Sequence, residues 1–107
     1  TTTQAAVGAD TVVALSQLRV DTVFLGTNGL TVGHGLSTPD HDEAATKRAM
    51  VRSADRVVVL TDSTKIGLDS PLRFAALDEV DVLVTDDGIA ATDHKALTGA
   101  GLEVLVA

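Results

Sequence analysis

Asp21-Thr-Val-Phe-Leu-Gly26-Thr-Asn28-Gly-Leu-Thr-Val-Gly-His-Gly35-Leu-Ser-Thr-Pro-Asp40 opens the passage that decides the fold, and Arg56-Val-Val-Val-Leu-Thr-Asp62-Ser-Thr-Lys65 closes it. Val23, Phe24 and Leu25 form a short β-prone run that Gly26 stops, and Arg56 to Thr61 is a second and clearer strand. A helical segment lies between them, so the order is strand, helix, strand: a βαβ unit with a right-handed crossover. In an open parallel sheet ligands bind at the carboxyl ends of the strands, where loops leave and helix N-termini aim free N–H groups. Asn28, Glu43, Lys47, Asp62 and Lys65 are therefore expected to converge there on a small anionic or polyhydroxy ligand.

Outward from this passage, Gly26, Gly29, Gly33 and Gly35 crowd one loop. Such a loop either turns sharply, as a surface hairpin or Ω-loop, or lets a ligand approach its backbone. It matches neither dinucleotide nor P-loop glycine patterns. Ser37-Thr-Pro-Asp40 reads as a helix start, with acids Asp40, Asp42 and Glu43 at the positive end of the dipole, and the helix runs to about Arg52. Glu43 and Lys47 stand four apart on one helical face, which by itself describes a solvated ion pair. Asp62-Ser-Thr-Lys65 by itself is an Asx or Ser/Thr turn; its place after a central parallel strand makes Lys65 a candidate anion contact.

Residues 9–18 show Val12, Leu15 and Leu18 at three-residue steps, an amphipathic helix favoured by Asp10. A short strand is placed near Phe74, a further strand over Val80 to Thr85 and a helix over Ile89 to Leu97 closed by Gly99 and Gly101. Leu102 to Val106 is the last strand. The fold class expected is α/β: an open parallel sheet with strands near Val23, Val58, Leu83 and Val104, flanked by helices, in which the run Thr22 to Leu25 is buried on both faces.

At 107 residues and 45% hydrophobic content the chain is one domain. Its two aromatics, Phe24 and Phe74, do not make a stacking platform for nucleic acid. Fifteen acids against eight bases give a net charge of -7, which repels phosphodiesters and is compatible with a high-salt cytoplasm. The absence of cysteine suits a reducing interior. No apolar run reaches the ~18 residues of a membrane span, so the expected address is cytoplasmic. The chain has no opening methionine and is expected to start within a longer polypeptide.

Asp40, His41, Asp42 and Glu43 are successive helical positions that point in different directions, so no metal site is expected. His34, His41 and His94 lack a nucleophile elbow or paired cysteine, which argues against a hydrolase triad. No cofactor is expected.

Asp21-Thr-Val-Phe-Leu-Gly-Thr-Asn28-Gly-Leu, Gly35-Leu-Ser-Thr, Glu43 with Lys47-Arg-Ala-Met, Asp62-Ser-Thr-Lys65 and Val82-Leu-Val-Thr-Asp86 follow one another along nearly the whole chain. This ordered set resembles the C-terminal sensor domain of DeoR-type transcriptional regulators. The resemblance implies a three-layer fold like that of ribose-5-phosphate isomerase, serving as a receptor for a phosphorylated sugar. It implies ligand contacts from Asn28, Gly29, Gly35, Glu43, Lys47 and Lys65, with Asp21, Gly26 and Asp62 in supporting places. The family's first sensor strand, its Gly-Thr-Thr phosphate loop and its helix-turn-helix precede the matched segment. Residues 1–107 are therefore expected to be a sensor fragment that binds effector weakly or not at all and meets operator DNA only through the absent N-terminal domain, in a homo-oligomer. The alternative is a sugar-phosphate isomerase or deaminase. Against it, aligning the Asp-x-Ser-Lys turns places the isomerase's helix glutamate on Lys47.

Overall fold

The computed structural model describes residues 13, 14 and 17–107. The helix expected over residues 9–18 lies largely outside the described residues. In chain order the elements are β1 (Val20–Leu25), β2 (Gly29–Thr31), β3 (Gly35–Thr38), α1 (His41–Ser53), β4 (Ala54–Leu60), β5 (Leu72–Ala75), β6 (Val82–Thr85), α2 (Ala91–Gly99) and β7 (Glu103–Val106). Single 3₁₀ turns at Ser63–Lys65 and Leu77–Glu79 follow β4 and β5.

The valine-rich runs behave as expected. β1, β4, β6 and β7 form one parallel sheet in the order β1-β4-β6-β7, with Phe24 beside Val58, Val58 beside Val82, and Leu83 beside Val104. The architecture is α/β, a parallel four-stranded sheet flanked by helices. α1 starts where its capping residues dictate: the Asp40 carboxylate accepts from the Asp42 N–H at 3.2 Å, and Asp42 and Glu43 occupy the first turn. Past the end of α2, Gly101 has a left-handed φ of 104° that lets Leu102 N–H return to the Leu97 carbonyl.

Val23, Leu25, Val57, Val59 and Leu83 on one sheet face share a buried cluster with Val51 of α1, Leu97 of α2 and Phe74 of β5. Burying one such side chain contributes about 1.5–3 kcal/mol, so this face anchors the domain. The opposite face is mixed: Val58 and Val82 on the central strands are buried, whereas Phe24 and Leu105 on the edge strands and Leu60 at the end of β4 are 61%, 46% and 47% exposed. The expectation that Thr22 to Leu25 is buried on both faces therefore fails at Phe24, where among the described residues both helices share the cluster on the first face.

The glycine-rich segment is a second structure in its own right. β2 and β3 pair antiparallel and β5 joins β3, giving a three-stranded sheet in the order β2-β3-β5. It is a hairpin, yet not a surface one: Leu30, Leu36, Ser37 and Thr38 are all fully buried. The strand near Phe74 is β5 of this sheet.

Candidate functional site

The end of β1 is the hub. Lys47 of α1 donates from Nζ to the Gly26 carbonyl at 2.8 Å, pairs with Glu43 Oε1 at 2.8 Å and lies 5.4 Å from the centre of the Phe74 ring. The pair is not a solvated one, since the two side chains are only 17% and 24% exposed. Beyond Gly26, the Thr27 hydroxyl donates to the Gly29 carbonyl at 2.7 Å and Asn28 N–H donates to the Ser37 carbonyl at 3.2 Å. These bonds fix the backbone on either side of Asn28 and leave its residue exposed.

The end of β4 delivers the lysine turn. Asp62 caps it by accepting from Thr64 N–H at 3.0 Å and from the Thr64 hydroxyl. The next strand end supplies Asp86, whose Oδ2 accepts from Ser63 N–H at 2.9 Å while Oδ1 accepts from the Ser63 hydroxyl at 2.7 Å and Gly88 N–H at 2.8 Å. These hydrogen bonds hold both carboxyls below the usual aspartate range: the Thr64 hydroxyl acts first on Asp62, and the Ser63 hydroxyl first on Asp86. On its far side the turn meets β2, where Ile66 bridges Leu30 and Gly67 N–H donates to the Leu30 carbonyl at 2.8 Å. The Lys65 ammonium has no hydrogen-bonded or ion-paired partner among the described residues; the nearby charge that interacts with it is Asp62.

The structure thus brings Gly26, Asn28, Glu43, Lys47, Asp62 and Lys65 to one end of the sheet, linked through the Gly26-to-Leu30 segment. Gly29 is there for packing as well: a Cβ would lie 2.4 Å from the Leu68 carbonyl oxygen and 2.8 Å from Ser37 Oγ. Gly35 sits at the other end of the hairpin, with φ 85° and a Cβ position 2.3 Å from the Ala75 carbonyl oxygen. It borders a separate cleft of about 280 Å³ lined by Val32, His34, Arg73 and Asp78. Asp21 stands near the start of β1, the length of the strand away from Asn28.

Asp86, Ser63 and Gly88 join this cluster without having been expected there, although Asp86 follows the end of β6, next to β4, as Lys65 follows the end of β4. Phe74 was missed because its contact with Lys47 depends on β5 joining the small sheet. Among the described residues no three His, Asp or Glu side chains are placed to hold a metal ion, and no helix is long and apolar enough to cross a membrane.

Residues 1–87 match the family model described as the DeoR C terminal sensor domain. The chain is 39% identical over 103 residues to the HTH-type transcriptional regulator GlpR of Haloferax volcanii, covering 96% of this chain and 40% of that protein. It is 33% identical to a putative aga operon transcriptional repressor of Escherichia coli, covering 87% of this chain and 35% of that protein. It is also 33% identical to the HTH-type transcriptional repressor GlcR of Bacillus subtilis, covering 92% of this chain and 38% of that protein. The chain spans about two fifths of the length of these curated relatives. By the family match and these identities, the chain belongs to the DeoR family, within its C-terminal sensor domain.

Proposed function

We propose that this chain is the effector-receiving part of a cytoplasmic transcriptional regulator of carbohydrate metabolism, and that its effector is a phosphorylated sugar held at the ends of β1, β4 and β6. One observation carries the reading: at the end of a central parallel strand the Lys65 ammonium has no hydrogen-bonded or ion-paired partner among the described residues, while the N–H groups of Ser63, Thr64 and Lys65 are all hydrogen bonded. A cation after the end of β4 and an exposed Asn28 after the end of the neighbouring β1 suit one charged and one hydroxyl-bearing group on the same ligand. Glu43 and Lys47 line the same end, with Lys47 shaping the Gly26 loop. The names of the relatives support the assignment to transcription control, and operator binding falls to a helix-turn-helix outside residues 1–107.

The isomerase alternative is weaker on chemical grounds. A carboxylate base must stand ready to take a proton, with its pKa brought towards the working pH. Here Glu43 is paired with Lys47, and Asp62 and Asp86 are held in the opposite direction, below their usual range. Each of these three carboxylates already interacts with a donor of the protein.

A calorimetric screen of the full-length protein tests the reading. Triose, pentose and hexose phosphates are titrated beside their unphosphorylated counterparts, with turnover followed in parallel. Selective binding of a phosphorylated sugar without turnover is the expected result; turnover favours the isomerase reading, and no binding to any of them removes the sensor reading.

A further inference from the structure

We propose that Asp86 is the positioning residue of this site, gripping Ser63 so that the turn after β4 presents the Lys65 ammonium in one place to the anionic group of the ligand. The proposal rests on the phosphorylated-ligand reading above. A lysine side chain is long and flexible, and fixing it on binding costs rotamer freedom. A mobile backbone beneath it would add to that loss, so the turn's anchorage bears directly on how well Lys65 can serve.

That anchorage has three parts. At the strand side, Thr61 N–H donates to the Val84 carbonyl at 3.1 Å, the last rung between β4 and β6. At the far side, Gly67 N–H donates to the Leu30 carbonyl at 2.8 Å. Between these two points Ile66 bridges Leu30 at the far side, and among the described residues the side-chain hydrogen bonds that hold the turn from another strand end are those of Asp86, which takes both the N–H and the hydroxyl of Ser63. Asp62 and the 3₁₀ bonds act only within the turn. Asp86 is held in turn by Gly88 N–H, and Gly88 must lack a side chain: a Cβ would lie 2.6 Å from Ser63 Oγ and 2.8 Å from Asp86 Oδ1. The clamp therefore joins the ends of two adjacent strands through one carboxylate that contacts three donors and needs both of its oxygens.

An amide cannot replace that carboxylate. Asparagine offers one oxygen, and whichever way it is turned its NH₂ faces a donor of Ser63 or Gly88. Asp86→Asn thus opens the clamp with almost no change in size, whereas Ser63→Ala removes one of the three bonds and keeps the other two.

Inorganic phosphate is the probe, being the portion shared by all sugar phosphates, and its affinity for the full-length protein is read by phosphorus NMR titration. The variants are Lys65→Ala, Asp86→Asn, Ser63→Ala and the double variants that combine Lys65→Ala with each of the other two. The expected result is a loss of about tenfold for Lys65→Ala and about fivefold for Asp86→Asn, with the double variant no weaker than Lys65→Ala alone, since residues acting through one another are non-additive. Losses that multiply in the double variant overturn the proposal, because a residue with only a general structural role weakens binding whether or not Lys65 is present. Unchanged affinity in Asp86→Asn, with Lys65→Ala impaired, also overturns it and leaves the ligand reading standing. Unchanged affinity in Lys65→Ala, or no phosphate binding by the unmodified protein, overturns the ligand reading itself. Should Asp86→Asn fail to fold, the Ser63→Ala and Lys65→Ala pair decides by the same criterion, with a loss of about twofold expected for Ser63→Ala.

Discussion

Lys47 and Lys65 carry the same charge into opposite situations. Lys47 spends its ammonium on Glu43 and the Gly26 carbonyl, so removing it should loosen the fold before it touches any ligand. The Lys65 ammonium makes no hydrogen bond to the protein among the described residues. Lys65→Ala in the full-length protein is expected to weaken effector binding by about 1.5–3 kcal/mol, the scale of a hydrogen bond to a charged group, with operator affinity and melting temperature nearly unchanged. Calorimetry beside a thermal scan checks this, and an unaltered affinity would make Lys65 a surface turn residue. Gly29 gives the complementary case. Its missing side chain faces the Leu68 carbonyl oxygen and Ser37 Oγ, so Gly29→Ala should cost about 1–3 kcal/mol of stability through overpacking, whether or not ligand is present. A Gly29→Ala protein with native melting temperature and lost binding would instead assign this glycine to the ligand.

Among the elements, α1 does two jobs with two neighbouring residues. Lys47 ties it to the end of β1, while Arg48 ties it to the small sheet by donating to the Phe74 carbonyl at 3.2 Å and to Glu79 Oε1 at 2.6 Å. Glu79 in turn accepts from Ala76 N–H at 2.9 Å. The Arg48 guanidinium, ahead of the opposing effect of burial, holds the Glu79 carboxyl below the usual glutamate range. The sign follows: a depressed carboxyl contributes stability above its unfolded pKa of about 4.3, and that contribution fades as the pH falls through the lower folded value. Glu79→Gln should therefore cost about 1 kcal/mol at neutral pH, discounted for partial exposure, and the gap from the unmodified protein should close as both are titrated to about pH 3. Denaturant melts across that range measure it; a gap of constant size would mean that the carboxylate's charge plays no part.

The elements also differ in how far they could be read in advance. β4 and β6 are runs of valine and leucine, and α1 announces itself by Asp40, Asp42 and Glu43, so local chemistry alone places them. The small sheet carries no such mark. β2 has three residues and β3 four, each opening on a glycine, and β3 buries Ser37 and Thr38, polar residues whose burial no hydrophobic pattern reports. Its third strand arrives from far along the chain, as Ser37 pairs with Arg73. The position of Lys65 after a strand end was legible because a strand run ends just before it. The Ser63 clamp was not, because it joins two strand ends that become neighbours only once the β4 and β6 order is known.

At the scale of the whole molecule the net charge of -7 decides two outcomes at once. Nonspecific affinity for DNA comes mainly from lysine and arginine neutralising phosphates, and eight basic residues among fifteen acids offer no such surface. Several of those bases are already spent: Arg19 on Asp55, Lys47 on Glu43, Arg48 on Glu79 and Arg56 on Glu103. The isolated chain should show no measurable binding to duplex DNA at physiological ionic strength. The same excess of acids repels itself in the compact state, and salt screens that repulsion over a distance that shrinks from about 10 Å at 0.1 M to about 3 Å at 1 M. The melting temperature should accordingly rise between low and molar KCl. The scan is run in chloride, since sulfate could occupy an anion site and stabilise by ligation instead. A flat or falling curve would sink the reading of this surface as one suited to high salt, and micromolar DNA affinity would sink the assignment of operator contact to residues outside this chain.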